Sequence, residues 1–331
     1  MCENHGSEKA YLFPIVAEFS LSRTNICAEK SFKNKYSISE RDLRELTARI
    51  IAYFNADIPG VSVVEVMFTF YGFFHIFLSD EVNIGKVSEA FPRRVADCFV
   101  YYNNISDLRH PDSMQQMARR DITPQPTAAI IDDTEYSVFR PGVLVCSEMR
   151  TGTARSTLGV LVKDDNGNGY VTAASHRMAD NGIVMTPKTG RIVGTVSADI
   201  PRTDIALVDL NKDVEFENQP FETAPDIPSS FTRLATEDDD LTHDTCFLDS
   251  PFSGVLEGVV AGTSIRVEGT EHIGYIWQYY GQLQGRICPP DGTCGAPICN
   301  ENGVVSDGNF SGLSASVSAS GLKHANFELS L

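Results

Sequence analysis

Paired cysteines are the first thing this chain lacks. Its eight cysteines stand at positions 2, 27, 98, 146, 246, 288, 294 and 299 with no C-x-x-C spacing. That scatter argues against a disulfide framework and against a zinc cage. Its seven histidines form no H-x-x-x-H pair, so no metal or other cofactor is expected. Long apolar runs are missing too, and no stretch approaches the roughly 18 residues a membrane helix needs. Glu3 and Glu8 stand ahead of only a very short apolar run, the wrong charge and length for a secretory leader. The expectation is a chain in the cytoplasm or another reducing compartment, away from membranes. Positive charge is scarce as well: 27 Lys and Arg against 44 Asp and Glu give a net charge of −17. A partner read through its phosphate backbone is therefore not expected, and no nucleic acid is assigned.

What is present is a globular composition, 42% hydrophobic and 21% charged over 331 residues, enough for two or three cores. Residues 11–19 read as a strand. Ser39 with Glu40 and Asp42 behind it reads as a helix start, and Leu43, Leu46, Ile50 and Phe54 recur at helical spacing until Pro59-Gly60. Residues 61–71 and 73–78 read as two strands about Gly72, residues 80–90 as a short helix stopped by Pro92, and 96–102 as a strand. Strand, helix, strand, strand, helix, strand is the split βαβ order, so a small α+β, ferredoxin-like domain is expected over residues 1–103. His75, between apolar neighbours in mid-strand, reads as structural. Residues 104–136 carry Pro111, Pro124 and Pro126 among polar residues and read as a linker.

From residue 137 the texture changes to short apolar runs separated by turns. Six such runs fall between 143 and 210, and seven more between 231 and 318, with a Pro-containing connection at 215–228 between them. Even spacing of this kind indicates two β units, 137–214 and 228–325, each closed or sandwiched. Asp164 to Gly169 imitates the first half of a calcium loop. The twelfth position is Ser175 where a glutamate is needed, and strands flank it, so a hairpin turn is expected instead. The acid-rich run at 237–240 reads as a solvated loop.

Three places set reactive residues at the ends of apolar strands. Tyr170-Val171-Thr172-Ala173-Ala174-Ser175-His176 ends in a histidine behind two small residues; Asp204 opens the run Ile205-Ala206-Leu207; and Gly292-Thr293-Cys294-Gly295-Ala296-Pro297 holds a cysteine between glycines. A glycine-flanked cysteine is compatible with an inert core thiol, and equally with a nucleophile loop whose amides curl round a developing negative charge. The company of a histidine and an acid favours the second. A thiol needs a base, and the base needs an acceptor on its far nitrogen.

These segments resemble the trypsin/chymotrypsin-like (PA clan) double-β-barrel peptidases. Thr172-Ala173-Ala174-Ser175-His176 is similar to their T-A-A-H, Asp204-Ile205-Ala206-Leu207 to their D-I-A-L, and Gly292 to Pro297 to their G-D-S-G-G-P. Gly303-Val304-Val305-Ser306-Asp307-Gly308 is similar to the G-I-V-S-W-G strand that follows. The resemblance covers about residues 137–325 and implies a mainly β fold, a chymotrypsin-like double barrel behind the small α+β domain. It implies His176 as general base and acid, Asp204 as its orienter, and Cys294 as nucleophile. The amides of Gly292 and Cys294 would form the oxyanion hole, and Ser306, Asp307 and Gly308 would bind an extended protein or peptide substrate as an added strand. Cysteine in place of serine is similar to the chymotrypsin-like cysteine peptidases of RNA viruses. Thr293 stands where secreted members carry an aspartate that pairs with a newly cut N-terminus. The expected activity is that of a cysteine endopeptidase; the alternative is an inactive trypsin-like module that binds peptides or protein partners.

Overall fold

A computed structural model describes residues 22–28, 38–69, 71–107, 132, 134–150, 152–179, 182–200, 203–220, 228–236, 238–239, 241, 243–252, 254–267, 272–279, 292–307, 309–311, 314–316 and 327–330. After strand β1 (Ser22–Ile26), helix α1 (Glu40–Asp57) starts where the sequence places it. The Ser39 hydroxyl accepts the Asp42 N–H at 3.2 Å, satisfying one orphan donor of the first turn. Leu43, Leu46, Ile50 and Phe54 are fully buried along one stripe, and that face packs on strands β2 (Val63–Thr69), β3 (Phe73–Leu78), β4 (Pro92–Val95) and β5 (Cys98–Asn104). The short helix α2 (Ile84–Val87) and a 3₁₀ turn at Ser88–Ala90 occupy part of the segment expected as one helix.

The ferredoxin-like expectation is corrected here. Strands β3 and β5 pair directly and in parallel, His75 opposite Tyr101, whereas the split order requires a strand between them. Strand β1 instead lies at the sheet edge, parallel to β4. Pro92, read as a helix stop, opens residues 92–95, which form a hairpin with β5, because Ala96 and Asp97 both take positive φ (46° and 65°) and make a turn whose twist suits two strands. The strand expected at 11–19 lies outside the described residues. His75 is buried and stacks on Tyr101 with ring centroids 5.3 Å apart, and burial pulls its pKa down to about 4.

The remainder is mainly β. Strands β6 (Val138–Phe139) and β14 (Glu215–Phe216) pair with each other, and between them run β7 (Leu144–Met149), β8 (Gly152–Thr157), β9 (Leu161–Lys163), β10 (Gly169–Ala174), β11 (Ile183–Met185), β12 (Ile192–Asp199) and β13 (Ile205–Leu210). This set closes on itself. Strand β8 pairs with β7, and its continuation through residues 158–163 crosses to pair with β10, which leads through β13, β12 and β11 back to β7. Gly159 is the corner, since a Cβ there would meet the Thr172 hydroxyl oxygen at 2.0 Å. The turn between β9 and β10 is a hairpin, with the Asp164 carboxylate accepting the Asn166 and Asn168 amides at 2.9 and 2.8 Å.

The second set comprises β15 (Arg233–Leu234), β16 (Thr245–Ser250), β17 (Gly254–Arg266), β18 (His272–Tyr279), β19 (Pro297–Asn300), β20 (Val304–Asp307), β21 (Asn309–Ser311) and β22 (Ser314–Ser316). Its 13-residue strand β17 serves two neighbours on one edge. Residues 254–259 pair with β16, and residues 262–266 pair with β2 of the N-terminal segment. One sheet thus runs from β1 through β2 and β17 to β20 and β15. Ile265 and Ile273 complete the core under α1. Strand β23 (Glu328–Leu329) returns to β9 of the first set, and a continuous apolar seam containing Ala174, Ile205, Leu207, Cys294, Ala296 and Ile298 joins the two sets. Asp238 and Asp239 of the acid-rich run pair with Arg41 and Arg233, each at 2.7 Å.

Candidate active site

Strand β10 ends in Ala173 and Ala174, both almost fully buried, and a single 3₁₀ turn at Ser175–Arg177 then lifts His176 to the rim. Because Ala174 sits opposite Ile205 in the β10–β13 ladder, the residues just beyond each strand end are neighbours in space. The Ser175 amide donates to the Asp204 carbonyl at 2.9 Å, and the His176 amide donates to Asp204 Oδ1 at 2.9 Å. The other carboxylate oxygen, Oδ2, lies 2.5 Å from His176 Nδ1. Two hydrogen bonds from one residue to one carboxylate fix both the ring and the turn that carries it. The approach to Asp204 is itself tied, with the Thr203 hydroxyl donating to the Ile200 carbonyl at 2.9 Å.

Cys294 arrives from the other set on the loop Gly292–Ala296, immediately before β19. Both glycines need their identity: Gly292 and Gly295 have φ of +97° and +94°, and a Cβ on Gly295 would meet the Thr157 carbonyl oxygen at 2.2 Å. The Ala296 amide donates to the Thr293 carbonyl at 3.0 Å. A trans peptide sets its N–H opposite its C=O, so the Cys294 N–H is directed away from this tight turn. Across the seam, strand β8 holds the loop. Its Thr157 amide and Ser156 hydroxyl donate to the Cys294 carbonyl at 2.9 and 2.8 Å, and the Thr157 hydroxyl donates to the Gly292 carbonyl at 2.8 Å.

The Cys294 side chain is hydrogen-bonded to His176. With Nδ1 taken by Asp204, the remaining ring nitrogen is the one left for sulfur. Burial pulls the His176 pKa down, but the hydrogen bonds to Asp204 and Cys294, with their charges, outweigh it and hold the imidazole up at about 9. The ring is thus favoured as a cation. Elsewhere, burial pushes the Cys299 thiol up to about 12 and raises Cys146 and Cys246 as well.

The three residues the sequence singles out for chemistry therefore meet. Gly292 lies in the same loop, its amide belonging to a peptide that begins at Asp291, outside the described residues. Ser306 and Asp307 lie in β20, their backbone paired with Ile298 and Pro297 beside the nucleophile loop; Gly308 is outside the described residues. Sequence reasoning passed over Ser156, Thr157 and Asp199. The Asp199 carboxylate accepts the Ser175 hydroxyl at 2.8 Å beside the His176 turn. The signal available for the first two was a pair of hydroxyl residues, Ser156-Thr157, opening an otherwise apolar run.

Comparison with protein-family models and with curated proteins finds no match. Among solved structures the chain is similar to Thermobifida fusca protease A, at 13% identity and a TM-score of 0.40, over 58% of this chain and 98% of that one. It is similar to Nocardiopsis protease at 12% identity and a TM-score of 0.40, over 56% and 96%. A third is Cellulomonas bogoriensis chymotrypsin, at 16% identity and a TM-score of 0.39, over 59% and 99%.

Proposed function

We propose that this chain is a cysteine endopeptidase of trypsin-like fold, with Cys294 as nucleophile, His176 as acid and base, and Asp204 as orienter. One observation carries the reading: a single imidazole bonded at Nδ1 to a carboxylate and hydrogen-bonded as well to a cysteine delivered from the opposite β set. A raised imidazole pKa beside sulfur favours the thiolate–imidazolium pair, so the nucleophile is ready before substrate arrives.

The thiolate attacks the scissile carbonyl carbon, forming a C–S bond and moving the carbonyl electron pair onto oxygen. The amides of Gly292 and Cys294 receive that oxyanion. Its collapse breaks the C–N bond while His176 gives its proton to the departing amine. Water, deprotonated by His176, then attacks the thioester carbon; collapse of the new tetrahedral intermediate breaks the C–S bond, releases the acid product and returns the sulfur beside the protonated His176. Asp204 stays ionised throughout and keeps Nδ1–H aimed at itself. The substrate strand would lie along Ser306 to Gly308, beyond the Val304 and Val305 positions of β20 that β15 occupies. The six described cysteines are free thiols, which suits a reducing compartment and processing of proteins inside a cell or by a virus.

Cys294→Ala should abolish cleavage of a mixed peptide library, lowering kcat by at least about a thousandfold. Iodoacetamide should modify Cys294 ahead of every other thiol at pH 6. A Cys294→Ala variant that still cleaves sinks the nucleophile assignment. A wild type that alkylates at Cys294 yet cleaves nothing in the library points to the binding module instead.

A further inference from the structure

We propose that Ser156 and Thr157 are positioning residues for the nucleophile, acting through the backbone of its loop; the inference rests on the reading of Cys294 as that nucleophile. Both residues are fully buried at the end of β8, in the β set that carries His176 and Asp204. Their hydroxyls reach across the seam to the two carbonyls that bracket the turn into Cys294 and out of it, Gly292 and Cys294. The Thr157 amide adds a third bond to the Cys294 carbonyl, but a backbone donor is present whatever the side chain. The hydroxyls are what this sequence contributes.

Peptide planarity turns these bonds into orientation. Fixing the Gly292 carbonyl fixes the Thr293 N–H on the far side of the same plane, and fixing the Cys294 carbonyl fixes the Gly295 N–H. With a peptide plane pinned on each side, the direction of the Cys294 Cα–Cβ bond is set, and so is the reach of its sulfur toward His176. Gly295 lets the loop close to this distance, since its α-hydrogen faces the Thr157 carbonyl where a side chain would collide. The loop that carries the sulfur is thus registered directly against the strand whose own continuation, through Gly159, packs on Thr172 two residues before Ala174. A loop held only by its own β set would leave the sulfur-to-imidazole separation to the slower breathing of the apolar seam. Displacements of about 1 Å cost large factors in rate.

The test uses the full chain and iodoacetamide, with alkylation of the Cys294-containing peptide followed by mass spectrometry from pH 5 to 10. Thr157→Val keeps size, shape and the backbone donor but loses the hydroxyl; Thr157→Ser restores it; Ser156→Ala removes the other. The expected result is a loss of at least tenfold in Cys294 alkylation rate at pH 6 for Thr157→Val, with the low-pH shoulder of the profile displaced upward. Thr157→Ser should return within about threefold of wild type. For a peptide that the enzyme cleaves, kcat should fall with KM unchanged. Should Thr157→Val fail to fold, Ser156→Ala, which leaves the Thr157 bonds in place, carries the test with a smaller loss of the same kind. Variants that fold and keep the wild-type alkylation profile overturn the proposal alone. A wild type whose Cys294 reacts at pH 6 no faster than cysteine in the unfolded chain removes the nucleophile reading, and this inference with it.

Discussion

The two β sets complete their strand pairing by different means. In the first, the bent segment from β8 through β9 supplies both edges that need pairing, so the strands from β7 to β13 pair with one another within about 70 residues of chain, and β23 adds to the outer edge of β9. In the second, β17 outgrows its neighbour β16, and the uncovered half of its edge is taken by β2, some 200 residues earlier. An exposed edge with alternating apolar residues invites aggregation, and here the N-terminal segment is what covers it. The set that holds the acid–base pair is therefore built from one stretch of chain with only β23 added from outside it, while the set that holds the sulfur is continuous with a third body.

Two glycines break this comparison in a controlled way. A Cβ on Gly194 of β12 would meet the Asp209 carbonyl oxygen at 2.3 Å, inside the first set, and a Cβ on Gly262 of β17 would meet the Phe68 carbonyl oxygen at 2.5 Å, at the junction with β2. Each valine substitution should cost about 3 to 4 kcal/mol, since neither clash is with a movable side-chain end. Their consequences should diverge. Gly194→Val disturbs the ladder that carries Asp204 and should slow Cys294 alkylation in the molecules that remain folded. Gly262→Val should destabilise the chain in urea while leaving the alkylation rate of folded molecules within about twofold. Equal damage to the thiol from both would mean the N-terminal segment supports the catalytic geometry as well as the edge.

Two histidines, His75 buried and His176 half-buried, sharpen the same contrast through pH. His75, in the N-terminal segment, is held down at about 4 by burial. Its neutral form is the folded one, so the unfolded chain takes up a proton that the folded chain refuses, and stability falls as pH drops from 6.5 toward 4. His176 is held up at about 9, burial being outweighed by Asp204 and Cys294. Its contribution is complete below pH 6.5 and is lost as pH rises through 9. Displacements of this size correspond to at most about 3 kcal/mol each. His75→Phe should flatten the acid limb of unfolding free energy against pH, and Cys294→Ala should shrink the alkaline limb by removing one of the two partners. An unchanged alkaline limb in Cys294→Ala would leave Asp204 as the whole cause.

What the sequence made legible follows from how local each signal is. Ser39 and its helix are read from four residues, and His176, Asp204 and Cys294 each sit at a strand end marked by their immediate neighbours. The strand order about β3 and β5 was misread because it depends on partners far apart in sequence, and because a proline that looks like a helix stop opens a strand. The length of β17 was nearly visible, as an apolar run at 258–267, but nothing within it says that its edge changes partner midway. Ser156 and Thr157 were hidden for a related reason: a hydroxyl in a strand has no meaning until the carbonyl it serves, 135 or more residues away, is known.

The smallest expected effect concerns the residue just before the nucleophile. Thr293 is fully buried, and its hydroxyl oxygen finds no hydrogen-bond partner among the described residues. In the secreted peptidases the sequence resembles, this position holds an aspartate that pairs with a newly cut N-terminus. Here β8 holds the carbonyls on either side, at Gly292 and Cys294, and among the described residues the Thr293 side chain contributes only volume. An unsatisfied buried hydroxyl costs free energy that an isosteric methyl does not, so Thr293→Val should raise stability by about 1 kcal/mol in urea and leave Cys294 alkylation unchanged. Thr293→Asp should do the reverse and more, because a carboxylate placed there is buried without a cation. A Thr293→Val variant less stable than wild type would mean the hydroxyl has a partner beyond the described residues. The nucleophile loop would then be held on both sides of the seam, not from β8 alone.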